Sequence, residues 1–467
     1  MHRFYKPDHA RFGDTIPFFW DGEFHIYYLK RYADDTHDTP ETHWWHISTV
    51  DFVNVTEHGI AIRRGGAEDP DYSAATGSVV RIGDEFHAYY TGFRAWPSAT
   101  GRHQTVLRAR SRDLVAWTKD PDFALLSDTD QFDADEWRDP FVFRDDEQGG
   151  YRMLIAAQRT DGPATRRGAT AMATSPDGQT WTVDDRPFWS PGLYSMHECP
   201  DLFRLGDYWY LVYSTLTDRT VTRYRMSRSI DGPWVAPPVD ELDGLGLYAG
   251  KTVSDGEHRY LVGWATNRVA GHDDGAWLWG GNLVAHEITA AEDGTLRVRQ
   301  PAVARAELER RAVGAPTTVS RRLEAPEGYA SVSLAPLPRS GFADLRLHPE
   351  AGARAFGVEL RVDDDRRHGY SVTFEPATHR VVVDRLDRFG FDRPLDILPM
   401  DVPPGPLDVR LEFDGELFVL YVDGRAITVR GYDVAGPDLA VFAVEGSLSV
   451  DCTLHRLPEP GTPDGER

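Results

Sequence analysis

The sequence predicts an all-β protein: a five-bladed β-propeller catalytic domain over residues 1–300, a linker over 301–314, an antiparallel β-sandwich over 315–459 and a disordered tail over 460–467. Three observations predict it. An acidic or glycine turn followed by an aromatic-rich apolar run occurs five times in the first part of the chain. A second pattern, a serine followed closely by an aspartate and often a tryptophan, recurs four times in phase with the first. From about Ala315 both patterns stop and strands of a different kind begin. A unit of about 50 to 65 residues carrying several short strands and repeated five times suits a propeller blade.

The turn-and-run copies are DGEFHIYYL from Asp21, GDEFHAYYTG from Gly83, GGYRMLIAAQ from Gly149, GDYWYLVYST from Gly206 and DGEHRYLVGWA from Asp255. Glycine supplies the turn, and Tyr, Phe, Val and Ile fit a pleated surface, so each copy reads as a hairpin turn entering a strand. The second pattern falls at Ser48 and Asp51, at Ser111, Asp113 and Trp117, at Ser175, Asp177 and Trp181, and at Ser229, Asp231 and Trp234. Any one copy would be an ordinary β-turn; four in phase mark equivalent positions in successive blades. Helical periodicity is confined to a short segment, Ala302–Arg311. Beyond it, GYSVTFEP, HRVVVDRL and LDVRLEFDGELFVLYVDGRAITVRG alternate apolar and polar residues across DG turns, as sandwich strands do. From Pro458 the chain is rich in Pro, Gly and charge.

Composition narrows the function. Of 467 residues, 41% are hydrophobic and 12% aromatic, too much apolar surface for a disordered chain. The 51 Lys and Arg against 74 Asp and Glu leave a net charge of −23, which repels nucleic acid and anionic membranes. No run approaches the roughly 20 apolar residues of a membrane span, and the start MHRFYKPDHARFGD lacks a signal-peptide pattern, so a cytoplasmic protein is expected. Two cysteines, Cys199 and Cys452, make neither a disulfide framework nor a four-ligand zinc site.

The first strand of each propeller blade lines the central channel, so residues at one count before each hairpin glycine face a common funnel. Eight residues before Gly22 stands Asp14, before Gly206 Glu198, and before Gly256 Tyr248. In the third blade acidic residues expand the turn and Asp139 lies ten before Gly149; the second blade offers Ala75 with Thr76, Gly77 and Ser78 beside it. A carboxylate taken singly is most often solvated surface. Three from three blades in one phase, each with a proline within three residues, point to one rim. Converging carboxylates either bind a hard cation or act on a glycosidic bond. No DxDxDG-type loop favours the cation, and Trp20, Trp44, Trp45 and Trp264 offer ring faces to a sugar.

At these residues the sequence resembles glycoside hydrolase family 32, the invertase, inulinase and levanase group. ECPDLF at 198–203 is the most specific match, followed by RDP within WRDPFVF at 138–140; TGSVV at 76–80 and YAGKT at 248–252 resemble two further family segments. The resemblance implies a propeller followed by a sandwich. It implies Asp14 as nucleophile, Glu198 as general acid/base and Asp139 as transition-state stabiliser, in a retaining reaction whose first two groups stand about 5 Å apart. Arg138 is implied to bind hydroxyls and keep nearby acids ionised. The remaining candidate substrate contacts are Ser78, Thr76, Trp20, Trp45, His197, Tyr248 and Lys251, and no metal or cofactor is expected. His197 and His46 can equally serve the core, Asp201 suits a strand brace, and Cys199 suits a small apolar filler.

One departure stands out. The family's first motif is usually WMNDPNG, whereas this chain has RFGDTIPFF, with Gly13 where an asparagine is expected. The glycone is therefore open. The expected partner is an oligosaccharide or disaccharide, with hydrolysis of β-fructofuranosidic bonds as the first reading. An arabinofuranosidase-like furanosidase, a fructosyltransferase and a sugar-binding protein without catalysis remain alternatives, and the oligomeric state is unread.

Overall fold

The protein was analysed as a computed structural model that describes residues 3–32, 42–96, 102–127, 130–350, 352–389, 392–434 and 436–459; the tail expected over 460–467 lies outside them. Five antiparallel sheets follow one another along the chain. Blade 1 comprises Ala10–Trp20, Glu23–Tyr32, Trp44–Thr49 and Thr56–Ile62. Blade 2 comprises Ser73–Ile82, Glu85–Phe93, Gln104–Ser111 and Thr118–Leu125. Blade 3 runs Phe132–Arg144, Tyr151–Arg159, Gly168–Ser175 and Thr182–Val183. Blade 4 has Glu198–Leu205, Tyr208–Thr215 and Val221–Ser227, with bridges Arg223↔Glu241 and Met226↔Val235 at its outer edge. Blade 5 has Leu247–Ser254, Arg259–Arg268, Trp277–Ala290 and Leu296–Arg299. Pairing of Phe12 with Gly281 joins blade 5 to blade 1 and closes the ring.

Both repeated sequence patterns have a structural task. A tyrosine on the second strand of one blade donates to a carbonyl in the outer turn of the next: Tyr27 to Leu114, Tyr89 to Gly178 and Tyr210 to Gly294, each at 2.6 Å. The tryptophans of those turns pack edge-on against the same rings, Trp117 on Tyr27 at 5.7 Å and Trp181 on Tyr89 at 5.5 Å. At the closure Phe52 of blade 1 sits 5.1 Å from Tyr260 of blade 5. The serine and aspartate hold the turn itself, as where Ser111 Oγ accepts from Leu114 N at 2.9 Å and Asp113 accepts from Ala116 N at 2.8 Å. In blade 1 the serine's place is taken by Thr49, which accepts from Phe52 N at 2.9 Å, while Ser48 bonds His58. Each blade thus completes the burial of its aromatics against its neighbour, which makes the ring cooperative.

The helix Ala302–Arg311 joins the two parts, burying Ala304 and Leu308 against Val53, Phe342 and Leu457. The sandwich begins with Val313–Pro336, which pairs along its length with the last strand, Asp438–Arg456. It packs on the propeller. Leu296 and Val298 of blade 5 share a core with Leu417, Val419 and Tyr421, and buried Asp243 accepts from both the N–H and the hydroxyl of Thr428. Among the described residues no helix is long and apolar enough to cross a membrane.

Candidate active site

The inner strand of every blade carries a β-bulge at the same place. Pairing with the second strand shifts register between Gly13 and Ile16, Ala74 and Gly77, Arg138 and Phe141, Glu198 and Asp201, and Tyr248 and Lys251. A bulge re-aims side chains and ends regular pairing, which suits a site at the mouth of a channel. Four of the five bulges begin with a left-handed residue that is not glycine: Asp14 at φ 36°, Asp139 at 57°, Cys199 at 50° and Ala249 at 51°. Such strain persists only where the surroundings impose it.

The bulges also correct the phase read from the hairpin glycines. They align Asp14 with Asp139, and Glu198 with Arg138 and Tyr248, so the two sets stand one residue apart. The glycine count puts Asp14 level with Glu198 because Gly22 is the second residue of its turn whereas Gly206 is the first.

Glu198 is held from two blades. Arg138 Nη2 donates to its Oε1 at 2.8 Å and the Tyr248 hydroxyl donates to its Oε2. The side chains of Glu198 and Arg138 each remain 20% exposed, so a ligand can reach both. Arg138 also pairs with Glu136, and these acids hold its charge against the penalty of burial. Asp14 accepts from Trp264 Nε1 at 3.1 Å and from Thr76 Oγ1 at 3.0 Å. Burial, then the charges of Asp139 and Glu198, push its carboxyl up to about 6 against those two hydrogen bonds. Asp139 accepts from Cys199 N at 2.9 Å, and its own N–H donates to Thr91 Oγ1 at 2.8 Å. Burial raises it too, opposed chiefly by Arg138. The three acids are therefore already met by N–H and O–H donors, and among the described residues no group of three His, Cys, Asp or Glu is arranged to hold a metal.

Five candidate contacts make no hydrogen bond to the three acids, and for each the expectation of a sugar contact is corrected. Trp20 is at the far end of the blade 1 inner strand, about 20 Å of extended chain from Asp14, packed on Phe86 beneath Arg81. Trp45 lies on the third strand of that blade under Lys30 Nζ at 4.1 Å. His197 is 0% exposed, bonded to Thr170 and ringed by Trp189 and Tyr213, and burial then the Arg225 charge push it down to about 3. Ser78 accepts from Val142 N at 2.9 Å, tying blade 2 to blade 3. Lys251 is wholly buried and donates to Gly77 O. For His197 the cause is strand alternation, because the residue next to Glu198 faces the other way. Thr76, Arg138 and Tyr248 do touch the acids. His46 belongs to the interior of blade 1, against Tyr27 and His58. Asp201 braces the next blade by accepting from the N–H and hydroxyl of Thr252, and the Cys199 thiol is buried and raised far from its ionisable range.

The model of the glycosyl hydrolases family 32 N-terminal domain matches residues 15–297. The chain belongs to glycoside hydrolase family 32. Among curated relatives, a sucrose-6-phosphate hydrolase of Vibrio alginolyticus is 24% identical over 42% of this chain and 38% of its own length. A β-fructofuranosidase, insoluble isoenzyme 1, of Daucus carota is 27% identical over 57% of this chain and 48% of its own. The chain thus spans about two fifths to half the length of these curated relatives. Its fold is that of fructan 1-exohydrolase IIa of Cichorium intybus in complex with 1-kestose, with a TM-score of 0.79 at 16% identity over 98% of this chain and 97% of that one. The structure of sucrose-6-phosphate hydrolase from Lactobacillus gasseri gives 0.75 at 18% identity over 98% and 93%.

The family 32 match begins one residue after Asp14, at the stretch where this chain departs from the usual motif. The structure supplies a reason for Gly13. A Cβ on this residue would lie 2.5 to 2.9 Å from three ring atoms of Trp279, so the indole occupies the space of any side chain there. Trp279, Trp277 and Trp264 form one aromatic wall beside Asp14, with ring centres 5.9 and 6.4 Å from Trp264. Trp279 and Trp277 escaped the sequence reading, although their spacing on one strand puts them on the same face. Gly13→Asn alone is expected to destabilise the fold by about 1–3 kcal/mol through overpacking. With Trp279→Ala the penalty is expected to shrink, so a double-mutant cycle followed by thermal melting should show strong favourable coupling; additive effects would mean that the two positions do not share that space.

Proposed function

We propose that this chain is a retaining glycoside hydrolase that cleaves β-fructofuranosidic bonds of oligosaccharides or disaccharides through a covalent fructosyl-enzyme. The observation that carries the reading is the pairing of two differently held carboxyls at one channel mouth. Glu198 is reachable and gripped by Arg138 and Tyr248, while Asp14 is gripped by Trp264 and Thr76. In this reading Glu198 protonates the departing oxygen and Asp14 attacks the anomeric carbon. Glu198 then takes a proton from the water that releases the sugar. Asp139, beside Arg138, faces the hydroxyls whose hydrogen bonds strengthen as positive charge develops. The names of the family 32 relatives, which refer to sucrose 6-phosphate, fructofuranosides and fructans, support a fructoside.

The test is a product assay on sucrose, inulin- and levan-type oligosaccharides and an aryl arabinofuranoside, with proton NMR recording the first anomer released. Fructose of retained configuration is the expected result. Inverted product, or no turnover, would defeat the reading. The aromatic wall over Gly13 favours one second reading, a furanosidase for another glycone, and cleavage of the arabinoside alone would select it.

The reading also sets a pH profile. Asp14 must be ionised to attack, and its carboxyl is raised to about 6, so kcat/KM is expected to fall below about pH 6. Trp264→Phe removes an N–H that favours the carboxylate, so in that variant the fall should begin at higher pH. An acid limb that stays in place would show that Asp14 does not govern it.

A further inference from the structure

Under the three acids the channel is closed by Lys251, which is 1% exposed. From blade 5 its Nζ reaches across the axis to Gly77 O of blade 2 at 2.7 Å and lies 5.4 Å from the ring centre of Phe141 in blade 3. Burial pushes its ammonium down, and the carboxylates that oppose this come from three more inner strands: Asp201 of blade 4, Asp139 of blade 3 and Asp14 of blade 1. Gly77 is required there, because a Cβ would fall 1.9 Å from Tyr89 O. The ammonium therefore sits in a dry space that every blade helps to enclose.

A buried charge has to be balanced nearby. The acids around this space are Asp14, Asp139, Glu198 and Asp201, and the cations are Arg138, Lys251 and Arg259, which acts on Asp201. Tyr248 and Cys199 stay neutral because burial raises both. Glu136 is 36% exposed and solvated, so it adds little to the buried balance. Four negative groups face three positive ones, a difference of one charge, which one proton removes. We propose that Lys251 is a positioning residue that sets the proton count of the trio: with its ammonium in place Asp14, Asp139 and Glu198 hold one proton between them. This rests on the hydrolase reading, whose first step needs one carboxylic acid and one carboxylate. Without the ammonium a second proton binds and a needed carboxylate is lost.

Two measurements test it. The first counts protonated carboxyls at pH 7 from the infrared carbonyl stretch of the full chain, against a triple variant carrying Asp14→Asn, Asp139→Asn and Glu198→Gln. The wild type should show one more than the triple variant, and Lys251→Met should show two more. The second is the pH profile of kcat/KM in Lys251→Met, whose acid limb should rise by about 1 to 3 pH units. A lower rate with an unmoved limb, or an unchanged carboxyl count, would make Lys251 merely structural and overturn the assignment. If Lys251→Met fails to fold, the wild-type count still decides, since zero or two protons defeats the proposal. A count of one that becomes two in Lys251→Met, in a protein that releases no fructose, supports the lysine assignment and removes the hydrolase reading instead.

Discussion

Glu198→Gln is expected to lower kcat on fructosides with sugar leaving groups by about 10²- to 10⁴-fold, the usual range for losing a general acid. The loss should be far smaller on an aryl or fluoride leaving group, which departs without a proton. The amide nearly matches the carboxyl in shape: its oxygen can still accept from Arg138 and its NH2 can donate to the Tyr248 hydroxyl oxygen, so the cage should survive. Once the sugar is transferred to Asp14, the variant also lacks the base that activates water. Added azide should then speed turnover of the activated substrate and yield a fructosyl azide of retained configuration. Equal loss on all leaving groups, with no response to azide, would remove Glu198 from the acid role.

Asp14→Asn should act more severely on turnover and in the opposite direction on stability. In the proposed mechanism no fructosyl-enzyme can form without Asp14, and a loss on the order of 10⁴-fold is expected, as when one member of a catalytic unit is removed. Stability follows from the raised carboxyl. Its folded value of about 6 lies above the ordinary aspartate value of 3.8, so the folded state holds its proton more tightly and stability declines as pH rises through that window. Above pH 6 the penalty is complete, roughly 2 to 3 kcal/mol at about 1.4 kcal/mol per unit. Asparagine escapes it and can keep both contacts, its oxygen accepting from Trp264 and its NH2 donating to the Thr76 hydroxyl oxygen. Asp14→Asn should therefore melt higher than the wild type at pH 7 and no higher near pH 4. A variant less stable at pH 7, or one that turns over normally, would end the case for a strained, buried nucleophile.

Much of this was legible in the chain because it repeats. The aromatic hairpins and the Ser–Asp–Trp turns are local devices whose residues must recur wherever a blade recurs, and they carry the all-β class and the count of five. The helix Ala302–Arg311 was readable for the same local reason, since it alone had the periodicity. Asp14, Asp139 and Glu198 were found because each sits near a turn that could be counted from. The count failed by one residue where the turn glycine changes place, which is why Asp14 was read level with Glu198.

What the sequence by itself determined is the order of strands, the position of the three acids on inner strands and the absence of any side chain at Gly13. Only the tertiary structure decided which neighbours matter. Trp264 and Thr76 meet Asp14 from blades 5 and 2, Trp279 fills the space over Gly13, and Lys251 crosses the axis to blade 2. It also turned His197 and Ser78 into the walls between blades and left Trp20 at the opposite end of its strand. The physical reason is that a strand presents successive residues to opposite faces, while a bulge reverses that order at the site. The partner on the far side of the channel belongs to another blade, at a sequence distance no local pattern can report.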